Sequence, residues 1–211
     1  MLSMADLYHI TPIQNLSKII SSQEIKSKNR LLRQSISHVN IAYEGIQDRR
    51  ARTQVPLAMG GVLHDYVPFY FAPRSPMLFT INKGNVPNYQ AGQTPILHLV
   101  SNAFDIEEID CSYVFTDGHA TMAYTEFYED LDALPHEIDW EIMEDKYWRD
   151  TDEDGDRKRR RQAEFLVYDF LPWELINHIG VINLTIRTQV LELLQHSVHK
   201  PTVSVHRDWY Y

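Results

Sequence analysis

The chain has 211 residues, of which 44% are hydrophobic and 23% charged, enough for one domain with a sizeable core. Its formal charge of −9 argues against a broadly basic nucleic-acid-binding surface, and a lone cysteine, Cys111, excludes a disulfide framework and a cysteine-rich zinc site. No apolar run approaches the ~20 residues of a membrane span, and the first residues lack the basic flank and apolar stretch of a signal peptide, so a cytoplasmic protein is expected.

In chain order, Leu7 to Ile10 reads as a short strand. Thr11-Pro12 is expected to start a helix with proline at its first position, and Ile13, Leu16, Ile19 and Ile20 give that helix a buried stripe. Residues 26–40 are polar and unpatterned and read as a long loop. Residues 42–52 read as a helix with Arg49 and Arg52 on one face and Arg50 beside them.

Gly60-Gly61 then breaks the chain before the most distinctive segment, Asp65 to Leu78. It begins with strand-forming residues, but Pro68, Pro73 and Pro76 interrupt it, which argues against a simple central strand. The prolines stiffen a path carrying Tyr70, Phe71, Arg74 and Ser75, an arrangement suited to a flat ligand with phosphates. Strands are expected at Ile96–Val100, Tyr113–Phe115, 163–168, Ile179–Ile182 and Val203–Trp209. Helices are expected at 120–128, 139–148, from Pro172, and at 185–196. Short elements mixed without regular alternation point to an α+β fold in a single domain spanning residues 1–211.

The charges are unevenly placed. Asp150, Asp152, Glu153, Asp154 and Asp156 run directly into Arg157-Lys158-Arg159-Arg160-Arg161. Taken alone, this pair reads as a self-neutralising surface. Glu164 follows, at the entrance of an apolar strand where it is able to reach into a cleft; an ion pair with a nearby arginine is the plainer alternative. His9 and Thr11 share a strand face, suited to hydrogen-bonding a sugar or to a satisfied core position. Glycine-rich phosphate loops and zinc-protease motifs are missing, and the ten histidines show no metal-ligand spacing, so no metal is expected.

Taken in order, several segments resemble the DarT toxins, ADP-ribosyltransferases that modify DNA. These are Tyr8-His9-Ile10-Thr11 with Asn15-Leu16, the arginine cluster before Val55-Pro56, Asp65 to Phe71 with Pro73 to Leu78, Thr116 to Ala120, and Arg161 to Leu166. The resemblance implies a mono-ADP-ribosyltransferase fold: a split, mostly antiparallel sheet with peripheral helices, holding NAD as co-substrate in a cleft between its halves. It implies that His9, with Thr11 and Asn15, contacts the adenosine ribose. Tyr70 and Phe71 would flank the nicotinamide, and Arg74 and Ser75 would meet phosphates or ribose. Glu164 matches the catalytic glutamate. Arg49, Arg50 and Arg52 are all candidates for the catalytic arginine, with Arg50 fitting best and Arg52 next.

The implied acceptor is a base of single-stranded DNA, thymine first; guanine, RNA or protein are alternative acceptors, and a non-catalytic nucleotide-binding module is a third reading. The resemblance turns residues 146–163 into a substrate-recognition loop. Arg49, Arg157, Lys158, Arg159 and Arg160 would track phosphates, and Tyr147 and Trp148 would stack on bases. A monomeric toxin opposed by a macrodomain antitoxin is the implied biology.

Overall fold

The computed structural model describes residues 6–211. Its strands are β1 (Asp6–Pro12), β2 (Glu24–Lys26), β3 (Tyr66–Tyr70), β4 (Ile96–Asn102), β5 (Tyr113–Thr116), β6 (Phe127–Tyr128), β7 (Glu164–Tyr168), β8 (Phe170–Pro172), β9 (His178–Val181) and β10 (Thr202–Val205). The helices are α1 (Ile13–Ser22), α2 (Lys28–Arg33), α3 (Glu44–Arg50), α4 (Pro76–Asn82), α5 (Ala103–Glu108), α6 (Leu134–Glu137), α7 (Trp140–Glu144), α8 (Arg157–Arg160) and α9 (Leu184–Leu193). Eight strands form one sheet in the order β10-β9-β4-β1-β3-β7-β5-β6, antiparallel except for the β9–β10 edge. Strands β2 and β8 make a separate pair. The fold is α+β, as the mixed elements imply.

The β4 run Ile96 to Val100 is buried on both faces between β1 and β9, which explains its near-continuous apolar sequence. β1 pairs with β4 along its whole length, from Asp6 opposite Asn102 to Pro12 opposite Ile96. With β3 it shares one register position, Tyr8 opposite Tyr70. The sheet therefore splits between β1 and β3, and the cleft opens there.

Proline placement explains how β3 tolerates that position. Contrary to the expectation from its prolines, Tyr66–Tyr70 is a central strand, laddered to β7 from Tyr66 opposite Tyr168 to Tyr70 opposite Glu164. The Pro68 carbonyl faces β1, where it accepts from His9 Nδ1 at 2.9 Å. In a strand a residue's N–H and C=O point the same way, so the donor Pro68 lacks would fall in the split and costs the β7 ladder nothing.

Other expectations need correction. Pro12 ends β1 in extended geometry rather than opening α1, because the ladder to Ile96 holds it. Residues 26–40 contain α2, which buries no side chain; Ser27 caps it by accepting from Arg30 N, and Arg30 is held by Glu24 and Asp169. An apolar stripe could not have announced it. Residues 120–128 are turns and then β6, since backbone bonds from Met122 to His119 and from Thr125 to Met122 displace the helix. The helix expected at 139–148 stops at Glu144; the one from Pro172 is a single 3-10 turn, Trp173–Leu175; the last strand ends at Val205.

Candidate active site

β1, β3 and β7 bring His9, Tyr70 and Glu164 to one cleft of about 1380 Å³, which α3 and the turns after β5 complete with Arg50 and His119. This exceeds the ~300–1,000 Å³ of a usual small-molecule site, leaving room for two substrates.

Glu164 begins β7 and is 4% exposed. Its backbone N–H donates to Thr116 Oγ1, which fixes the carboxylate's root. Oε2 accepts from Arg50 Nη1 at 2.6 Å, Oε1 accepts from the Ala120 N–H at 3.3 Å, and His119 Nδ1 lies 3.8 Å from Oε1. Both readings of Glu164 are thus partly right: it reaches the cleft and it pairs with an arginine. The partner is the distant Arg50 of α3, not a neighbour in the basic run.

The three candidate arginines separate cleanly. Arg50 is buried on Glu164, while its Nη2 is buried and has no partner among the described residues. Arg49 is exposed on the cleft wall. Arg52 is exposed, does not line the cleft, and donates to the Asp48 carbonyl within its own chain turn. Its expected catalytic role is incompatible with that position, because residue 52 has left the helical face that carries residue 50 to Glu164.

His9 is a fixed tautomer: a carbonyl only accepts, so Nδ1 carries the proton toward Pro68 and Nε2 is left as an acceptor. Burial lowers its pKa, which keeps the ring neutral. Asn15 Nδ2 donates to Thr11 Oγ1 and to the Val39 carbonyl, and Oδ1 accepts from Val39 N. Asn15 thereby pins the segment before α3 across the cleft. Burial first, and then the Glu164 carboxylate, raise the Tyr70 phenol, so Tyr70 stays a neutral donor.

The proline-rich motif is mostly scaffold. Phe71 is 0% exposed in the main core, edge-on to Trp140 and Phe165, and cannot flank a nicotinamide in the cleft. Ser75 caps α4 by accepting from Leu78 N, and Arg74 lies over the Tyr211 ring; neither lines the cleft. The alternation of β3 sends Tyr70 one way and Phe71 the other. Arg161 locks this motif in place. Its guanidinium donates to the carbonyls of Arg74, Ile142 and Met143, and burial lowers its pKa to about 10.

The basic run also departs from the phosphate-tracking expectation. Arg157 pairs with Asp145, Arg159 with Asp117 and Asp156, and Arg160 with Asp139 and Asp154. Their charges fold the loop. Lys158 is the exposed cation of the run that lines the cleft; burial lowers the His119 pKa, and Arg50, Arg49 and Lys158 lower it further against the raising effect of Glu164. Trp148 lines the cleft edge-on to Phe79, whereas Tyr147, 83% exposed, does not line it. His119 lies within the Thr116 to Ala120 segment, and its adjacency to Glu164 arises only through β5–β7 pairing. Among the described residues no cluster could hold a metal ion, and no helix is long and apolar enough to cross a membrane.

The sequence profile of the family described as ssDNA thymidine ADP-ribosyltransferase, DarT, matches residues 8–211. The chain belongs to the DarT family. A structure of Thermus sp. 2.9 DarT with ADP-ribosylated ssDNA superposes with a TM-score of 0.92 at 42% identity, covering 98% of this chain and 96% of that one. Its complex with NAD+ gives 0.86 at 39% identity, covering 99% and 98%. A Thermosipho africanus relative, a DNA ADP-ribosyl transferase–DNA ADP-ribosyl glycohydrolase fusion protein, is 30% identical over 77% of this chain and 38% of its own length. DarT membership agrees with the split sheet and with the cleft at the split.

Proposed function

We propose that this chain is a monomeric, single-domain cytoplasmic enzyme that transfers ADP-ribose from NAD+ to a thymine of single-stranded DNA. The observation that carries this reading is the buried Arg50–Glu164 pair at the sheet split, with the second Arg50 nitrogen left for a ligand. An orphaned buried donor is costly, and this one belongs to a residue that lines the cleft beside Glu164. The Thermus complexes with NAD+ and with ADP-ribosylated ssDNA support both substrates.

The roles follow from charge. His9 Nε2 accepts from a ribose hydroxyl of NAD+, on a ring held by Pro68. Breaking the nicotinamide–ribose bond leaves its electron pair on nicotinamide and develops positive charge on the ribose, which the Glu164 carboxylate stabilises. Thymine in DNA has one ring N–H; its nitrogen forms the new bond to the ribose carbon and gives up its proton to Glu164. Arg50 Nη2 donates to a thymine carbonyl, holding the base and favouring its deprotonated form. A base must leave the stack to offer that edge, hence the single strand. An adduct there blocks pairing, which makes the enzyme a toxin, and the Thermosipho fusion supports a macrodomain hydrolase as the opposing partner.

Labelled NAD+ incubated with oligonucleotides differing in one base, followed by mass spectrometry, tests this. Label on thymine-containing single strands is expected. Label confined to guanine, RNA or protein, or absent from every oligonucleotide, would refute it.

A further inference from the structure

The turn between β5 and β6 does more than bring His119 to Glu164. Five residues later it presents Tyr124, a ring 59% exposed at the cleft mouth. Of the aromatics offered to DNA from sequence, Tyr147 does not line the cleft. Trp148 is already used, since its ring is edge-on to Phe79. Tyr43 is another exposed ring on the cleft wall, but it sits before α3, two helical turns from Arg50.

Tyr124 is built as a platform. The Arg159 guanidinium lies over its ring at 5.2 Å and is itself held by Asp117 at 2.8 Å and Asp156 at 2.7 Å. Met122 N donates to the His119 carbonyl at 2.9 Å, Thr125 N to Met122 at 3.1 Å, and Thr125 Oγ1 to His119 at 2.9 Å, fixing the backbone on both sides of the ring. Gly118 makes room for this: a Cβ there would collide with Arg159. One face of the ring is backed by a cation, and more than half of the residue is exposed. A cation behind an aromatic ring and a rigid backbone lower the entropy lost when a second flat ring stacks on it.

We infer that Tyr124 stacks the nucleobase next to the modified one, so that the enzyme holds at least two successive bases of single-stranded DNA. This rests on the reading of Glu164 and Arg50 as the transfer site. Arg159, expected to track a phosphate, supports a base platform instead.

The test compares wild type, Tyr124→Ala and Tyr124→Phe on a short oligonucleotide with one thymine, and on versions carrying an abasic site on its 5′ or its 3′ side. Transfer and binding of the fluorescently labelled strand are both measured. Tyr124→Ala is expected to weaken the intact strand by about 5- to 160-fold, the range for losing one base–aromatic stack, mainly in KM, and Tyr124→Phe to restore it. On one of the two abasic strands the wild type is expected to fall to the level of the alanine variant. Equal behaviour of wild type and Tyr124→Ala on the intact strand would overturn the inference. So would an alanine defect undiminished on both abasic strands. Absence of wild-type transfer to every strand would instead refute the transfer reading, while the binding measurement would still report on the platform.

Discussion

Removing either half of the Arg50–Glu164 pair should cost stability as well as activity, and the two losses should separate in a double variant. The side chains are 9% and 5% exposed and their contact is 2.6 Å. Deleting one leaves the other as an uncompensated buried charge, which costs about 3–5 kcal/mol. For a chain of this size that lowers Tm by about 6–20 °C. Replacing both with apolar residues of similar volume, Arg50→Met with Glu164→Leu, removes both charges and should recover most of that loss. Activity should not recover, because losing a group that stabilises developing charge costs about 10²–10³ in rate. The assay is a double-mutant cycle by urea unfolding, with transfer to an oligonucleotide measured on the same four proteins. If the two single losses simply add, with a coupling below about 0.5 kcal/mol, the charges are not paired in a dry site and the electrostatic argument fails. Any double variant that transfers at more than a hundredth of the wild-type rate would remove Glu164 from the chemistry.

Other consequences are independent of that pair. His98 is fully buried, its Nε2 donates to the Pro73 carbonyl, and burial lowers its pKa from the ordinary 6.5 to about 4. The unfolded chain therefore binds a proton first on acidification, so stability is retained above pH 6.5 and lost as pH falls toward 4. The loss is about 3 kcal/mol from this group, readable as a pH series of urea midpoints that His98→Gln should flatten. Asn15→Ala removes three hydrogen bonds that hold Thr11 and Val39, and should raise the NAD+ KM about tenfold or more by loosening that segment; an unchanged KM would show the segment is held by other means. Gly118→Ala should displace Arg159 and cut transfer to DNA while NAD+ binding, followed by calorimetry, survives.

The sequence by itself determined much of the frame. The apolar runs of β4, β5 and β7 fixed three strands, because burial on both faces leaves a continuous hydrophobic signature. Ordered motifs identified the family, and with it NAD+ and single-stranded DNA, and they nominated Glu164 for the chemistry. Tertiary structure decided what local pattern does not encode. Arg50 rather than Arg52 meets Glu164 because the turn of α3, docked on the split sheet, carries only residue 50 inward. Phe71 goes to the core and Tyr70 to the cleft through strand alternation, whose sense depends on which face the neighbouring strands cover. Arg157, Arg159 and Arg160 lose their expected freedom to carboxylates that include Asp117, about forty residues upstream in sequence. Residue identity specifies what chemistry is available; pairing across the sheet, a long-range property, selects which of those groups share the site.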